Sequence, residues 1–178
     1  YYSFLAEKEC KIAIGIRYHN PLIDLIQENS FTRLPEEIAE PMRSGMNRIK
    51  ENLKIISVRV IFHSEVVKDL VSSEEFRLLT KHVDPMKIEF NNLKIHVTDE
   101  NFSNFSLTDT ELIQPSFDPT NILIGSYISR NRNIYQIFDT KFNEIFKTGI
   151  SIEEFLQKDK SLKMDSITDT QSFVLCIL

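Results

Sequence analysis

Lys54–His63 reads KIISVRVIFH. Ile55, Ile56, Val58, Val60 and Ile61 are β-branched, and no Gly or Pro interrupts them. Such residues suit a pleated strand. Alternation places Ile56, Val58, Val60 and Phe62 on one face and Ile55 and Ile61 on the other. A strand apolar on both faces must be covered on both, so it belongs at the centre of a sheet.

Reading outward from it sets the class. After it, Ser64 is expected to cap a helix with the stripe Val66, Val67, Leu70 and Val71. Ser72 and Glu75 have capping-box spacing, which predicts a further helix over Glu74–His82. Before it, Leu34-Pro35-Glu36-Glu37 opens a helix carrying Ile38, Met42, Met46, Ile49 and Leu53, with a kink or break expected at Pro41 and Gly45. Lys11–Tyr18 alternates Ile12, Ile14 and Ile16 with Lys11, Ala13, Gly15 and Arg17, the period of a strand. Asn20-Pro21 then starts a short helix, Leu22–Gln27.

Further on, Lys87–Phe90 and Leu93–Thr98 flank Asn91-Asn92 and predict a hairpin. Asn121–Ser129 and Ile134–Phe142 predict a second one around Arg130–Asn133, followed by a short strand at Glu144–Lys147. Ser151 and Glu154 form a capping box for the helix Ile152–Lys158, and Lys158–Asp165 reads as a loop. Phe173–Leu178 is strand-like. Helices followed by runs of strands predict an α+β fold: one domain over residues 1–178, a mostly antiparallel sheet, and helices packed on one side. The first residue is Tyr1, so the N-terminus is read as trimmed, processed or renumbered; Phe173–Leu178 ends the sequence and is read as a fragment of a longer chain.

Composition excludes several classes. Leu, Ile, Val and Phe make up 60 of 178 residues, too many for a disordered chain. The net charge of −5 argues against broad phosphate-backbone binding, so nucleic acid is not expected as a partner. No apolar run approaches the ~20 residues of a membrane helix, so no membrane is expected either. Cys10 and Cys176 read as free thiols in a reducing compartment, which points to the cytoplasm.

Catalytic motifs are sparse. His19, His63, His82 and His96 include no pair at helical metal-ligand spacing, and the four glycines are isolated. Neither a cofactor nor a resident metal is expected. One carboxylate pattern stands out: Asp118 ahead of a strand, with Asp139 and Lys141 on the expected returning strand. It resembles the core of PD-(D/E)xK nucleases, in which carboxylates hold Mg²⁺ and a lysine helps activate water. The Asp118-Pro119 order is reversed from that family's pattern, and no helical Glu supplies a third ligand.

The most unusual feature is a charge gap. No Lys or Arg occurs between Lys94 and Arg130, while Asp99, Glu100, Asp109, Glu111 and Asp118 do. Phe102 and Phe105 are interleaved with them. Irregular structure is expected there, and carboxylates beside aromatics suit a basic protein partner: charge steers the encounter and rings anchor it. These seven residues are the candidate binding surface. The segment also holds two sequons, at Asn101 and Asn104.

Ile122-Leu-Ile-Gly125, Asn133-Ile-Tyr-Gln-Ile-Phe-Asp139, Ile145-Phe146 and Ser151-Ile-Glu-Glu-Phe-Leu156 together resemble the end of SUKH-type immunity domains. That resemblance, over one fifth of the chain, implies a strand ending in Gly, a strand ending in Asp, a short strand and a Ser-capped helix. It also implies toxin neutralisation by binding. The expected function is thus a non-enzymatic protein-binding domain, in its specific form a toxin-neutralising immunity protein acting through an acidic surface. The alternatives are a subunit of a larger multiprotein assembly, which would expose an apolar patch, and a metal-dependent nuclease.

Overall fold

The computed structural model describes residues 2–17, 35–73, 76 and 89–158. The expected helix Leu22–Gln27, nearly all of Glu74–His82, all but the first residue of the loop Lys158–Asp165, and the strand Phe173–Leu178 lie outside them, as do His19, His82 and Cys176.

A 3-10 turn, Tyr2–Leu5, leads into β1 (Glu9–Ile14). Helix α1 (Glu36–Leu53), β2 (Ser57–His63) and α2 (Ser64–Ser72) follow. Four strands come next: β3 (Asn92–Thr98), β4 (Phe105–Leu107), β5 (Leu112–Phe117) and β6 (Leu123–Ser129). Helix α3 (Arg132–Thr148), β7 (Ile150–Ser151) and α4 (Ile152–Lys158) complete the order. Seven described strands form one sheet, β6-β5-β4-β1-β2-β3-β7. The β1–β2 and β2–β3 pairs are parallel and the other four antiparallel. The fold is α+β with a mixed, mostly antiparallel sheet.

β2 is central, as its two apolar faces require. Val58, Val60 and Phe62 enter one core with Ile12, Ile14, Ile95 and Val97; Ile61 enters a second core with Ala13, Phe105, Leu107 and Leu112. Ile49 and Leu53 of α1, Val66, Val67 and Leu70 of α2, and Ile152 of α4 cover the first face. These are the helices expected from sequence, and they share one side. The second face is covered by α3 through Phe142 and Ile145.

Several local expectations are corrected. Residues Ile134–Phe142 and Glu144–Lys147 are helical, all within α3, so the second hairpin and the short strand do not form. The strand ending in Asp139 that the immunity-domain resemblance implied is therefore helix as well. The Asn131 side chain caps α3 by accepting from the N–H groups of Asn133 and Ile134, at 2.9 and 3.3 Å. Tyr135, Phe138, Phe142, Ile145 and Phe146 then share its inner face, a helical stripe. β6 pairs instead with β5, which the sequence reading left irregular, as it did β4.

Leu93–Thr98 is β3 but pairs in parallel with β2, not in a hairpin. Asn91 and Asn92 dock rather than turn: Asn91 Nδ2 donates to the Ile55 carbonyl at 2.8 Å, and Asn92 Nδ2 to Ser57 Oγ at 3.1 Å. Helix α1 runs unbroken through Pro41 and Gly45. Pro41 sits in its second turn on the exposed side, where one missing backbone bond is tolerated. His63, not Ser64, caps α2: its Nδ1 accepts from the Glu65 N–H at 3.2 Å.

Candidate partner-binding surface

Each residue of the acidic segment has a definite place. Asp109 lies in the β4–β5 turn and accepts backbone N–H groups of Glu7 (2.6 Å), Lys8 (3.2 Å) and Glu9 (3.1 Å), anchoring the entry to β1. Glu111 is buried, and its carboxylate accepts from Arg130 Nε at 2.5 Å. Asp118 shapes the β5–β6 turn. Its carboxylate accepts from the N–H groups of Thr120 (2.8 Å) and Ile122 (2.9 Å) and from Thr120 Oγ1 (2.7 Å). The Ile122 N–H bond, then the Thr120 hydroxyl, hold the Asp118 carboxyl below the usual aspartate range.

The two phenylalanines turn inward. Phe105 is buried and meets Phe138 edge-on at 5.0 Å between centroids. Phe102 is half-buried against the same cluster. Its backbone approaches Gly15 so closely that a Cβ there would lie 1.8 Å from the Phe102 carbonyl oxygen, which requires glycine. Asn104, one of the two sequon asparagines, is buried. Its side chain accepts from the N–H groups of Gly15 (2.7 Å) and Ile16 (2.8 Å) and donates to the Ile16 carbonyl (2.8 Å). The segment expected to be an irregular surface is thus woven into the sheet.

Only Asp99 and Glu100 are brought together at the surface. They follow β3 and line a cleft of about 470 Å³ with Ser64, Thr98, Thr148 and Phe155. Ser64 Oγ donates to Asp99; Glu100 accepts from Lys141 Nζ at 3.1 Å and Thr148 Oγ1 at 3.3 Å. This cleft sits at the carboxyl ends of the parallel strands β2 and β3, beside the first residue of α2.

The nuclease-like residues are dispersed over different elements. Asp118 is in a turn, while Asp139 and Lys141 lie two residues apart on a helix and so point apart. Asp139 accepts from Lys11 Nζ and from Asn143 Nδ2 (3.2 Å). Asn143 Oδ1 accepts from Arg59 (3.0 Å), and Arg59 donates twice to Glu9 (2.6 and 3.0 Å). Lys11 pairs with Glu9 at 3.3 Å and closes the ring. The Arg59 guanidinium also lies over the Phe142 and Phe146 rings, at 5.5 and 5.3 Å. This network pins α3 to the sheet. Among the described residues, no group of three or more His, Cys, Asp or Glu could hold a metal, and no helix is long and apolar enough to cross a membrane.

Sequence reasoning missed an exposed apolar surface at β6. Among the described strands, β6 is an edge and pairs with β5 alone. Ile124 is 67% exposed, Tyr127 63%, Ile128 46% and Ile122 43%. No charge occurs between Asn121 and Ser129. Tyr127 lies on the α3 side of the sheet, since it alternates with Ser129, which opposes Leu112 of the second core. Ile128, opposite Ile113, lies on the other side. Ile134 and Ile137, near the start of α3, are exposed as well. The signal was present: Ile122–Ile128 is apolar and uncharged and alternates poorly, so it cannot bury only one face.

No family model matches the chain, and no curated protein matches it. Among solved structures it is similar to that of TrmBL2, an archaeal chromatin protein whose structure shows a novel mode of DNA binding. The identity is 13% and the TM-score 0.45, over 84% of this chain and 47% of that one. The chain thus spans about half the length of that neighbour.

Proposed function

We propose that this chain is a non-enzymatic protein-binding domain that acts as a subunit of a larger assembly and accepts a partner strand at the edge of β6. The observation that carries this reading is a charge-free edge strand with exposed isoleucine and tyrosine on both faces. Such an edge offers unpaired backbone N–H and C=O groups as a template, and lone proteins usually blunt it with charge or proline. Strand addition satisfies those groups, and the apolar side chains add affinity. The setting assigned is the cytoplasm, supported by Cys10, a free thiol buried in the core.

A second reading keeps the immunity protein, with a basic partner entering the cleft at Asp99 and Glu100. Two adjacent exposed carboxylates favour it. One experiment separates the two: capture from the native source with chemical cross-linking, using the wild type, an Ile124→Lys/Ile128→Lys variant and an Asp99→Asn/Glu100→Gln variant. The edge reading predicts that the lysine variant loses the wild type's cross-linked partner while the carboxylate variant keeps it. The reverse pattern overturns the edge reading and supports the acidic cleft.

A further inference from the structure

β6 contains a glycine that the described residues do not explain. Gly125 has no positive φ, and a Cβ built on it meets nothing within 4 Å. Backbone conformation and the described neighbours both leave room for a Cβ, and glycine weakens a strand interior. Glycine within a strand often marks the close approach of something from outside.

We infer that the outside group is a second copy of this chain, pairing antiparallel along β6 about a two-fold axis at Ser126. This deepens the strand-addition reading and rests on it. In that register Ser126 faces Ser126 of the other copy, and Tyr127 of each copy faces Gly125 of the other. Each ring then lies over the bare backbone left by glycine, a pairing known to offset glycine's weakness in strands. A two-fold interface uses the same patch twice, so the patch must tolerate itself. Two chains of net charge −5 repel, and β6 is where they meet without like charges, because Asn121–Ser129 carries none.

The geometry also sets the strength. A register shift between Leu123 and Gly125 interrupts the ladder, leaving Gly125–Ser129 as the regular run. Five residues of strand bury less than the ~800 Å² per partner of a standard interface. Ile134 and Ile137, on the same side as Tyr127, are the apolar surface available to extend it. The dimer is therefore reversible and concentration-dependent.

The test uses the full chain under mild oxidation. Directly opposed residues in an antiparallel pair have Cα atoms about 4.5–5.5 Å apart, within the 4.4–6.8 Å or so that a disulfide spans. Ser126→Cys should form a disulfide-linked dimer; Thr120→Cys, in the exposed turn, should not. Sedimentation should show a wild-type dimer that is lost in Ile128→Lys, whose circular dichroism and melting temperature stay at wild-type values. Equal cross-linking of both cysteine variants overturns the inference, since random collision explains it. An intrachain bond from position 126 to Cys176 also overturns it, because the chain's own C-terminal residues then occupy the edge. A wild type that stays monomeric overturns it too, yet leaves strand addition by a different protein standing. That broader reading fails separately, if the Ile124→Lys/Ile128→Lys variant captures the wild type's partner unchanged.

Discussion

Asp109 shows what one carboxylate does in this chain. It gathers three consecutive backbone N–H groups, from Glu7, Lys8 and Glu9, so that β1 starts in register beside the β4–β5 turn. Asp109→Ala leaves those donors to water or to nothing, and we expect a loss of about 1–3 kcal/mol in urea unfolding. Cutting Asp109 is thus a stability experiment, whereas the sequence suggested an effect on association rate. Glu9 gives a pH signature. Burial pushes its carboxyl up, but the hydrogen bond and charge of Arg59, with the charge of Lys11, outweigh it and hold the group below the ordinary glutamate range. A carboxylate depressed in the folded state stabilises above its unfolded pKa, and that contribution disappears as pH falls through the folded value. Urea midpoints of the wild type should therefore drop on acidification below the ordinary glutamate range. Glu9→Gln should start less stable at neutral pH and show a shallower acid limb; identical limbs would contradict this role. The distant partners of Asp109 and Glu111 were invisible in sequence, because Arg130 lies 19 residues from Glu111 and the N–H groups bound by Asp109 lie 100 or more residues away.

At the scale of elements, legibility followed the number of breakers and the clarity of the period. β2 could be placed from its ten-residue run alone, since both its faces are apolar. Val60 is fully buried between parallel neighbours Ile12 and Ile95, so Val60→Asp should cost on the order of 3 kcal/mol or more, read as a lowered melting temperature or insoluble expression. An unchanged melting temperature would remove β2 from the centre. The boundaries of α4 were equally clear from its capping box, which forms with the Glu154 N–H donating to Ser151 Oγ at 3.2 Å. α3 was misread because Ile134, Tyr135, Ile137 and Phe138 mimic a strand locally. Only the longer window, through Phe142, Ile145 and Phe146, shows the helical stripe. β5 was hidden by Pro115, which argues against a central strand. The conflict dissolves because β4 pairs with β5 only at Leu112 and Ile113, so at Pro115 one side of β5 is already an edge. Asp139, read as half of a nuclease pattern, instead ties α3 to Lys11 of β1.

Over the whole molecule, the α+β class was legible and the surface was not. Charge content suggested an acidic face, but folding uses Asp109, Glu111 and Asp118 to shape turns and to pair with Arg130, and it places Phe105 in the core. What remains outside is set by topology. β6 is apolar on both sides, yet the described sheet ends there, and no described strand lies beyond it to cover Ile124, Tyr127 and Ile128. Sequence pattern reports that a strand wants burial on two faces; only strand order reports that it has been left at an edge. Strand pairing at the β6 edge is tested most directly by amide hydrogen exchange in the full chain across a concentration series, followed strand by strand. We expect the N–H groups of Gly125–Ser129 that point away from β5 to exchange quickly in dilute solution and to slow as concentration rises, while Val58–Phe62 stays equally protected throughout. Outward N–H groups whose rates do not change with concentration, or that are as protected as β2 in the most dilute sample, would contradict it.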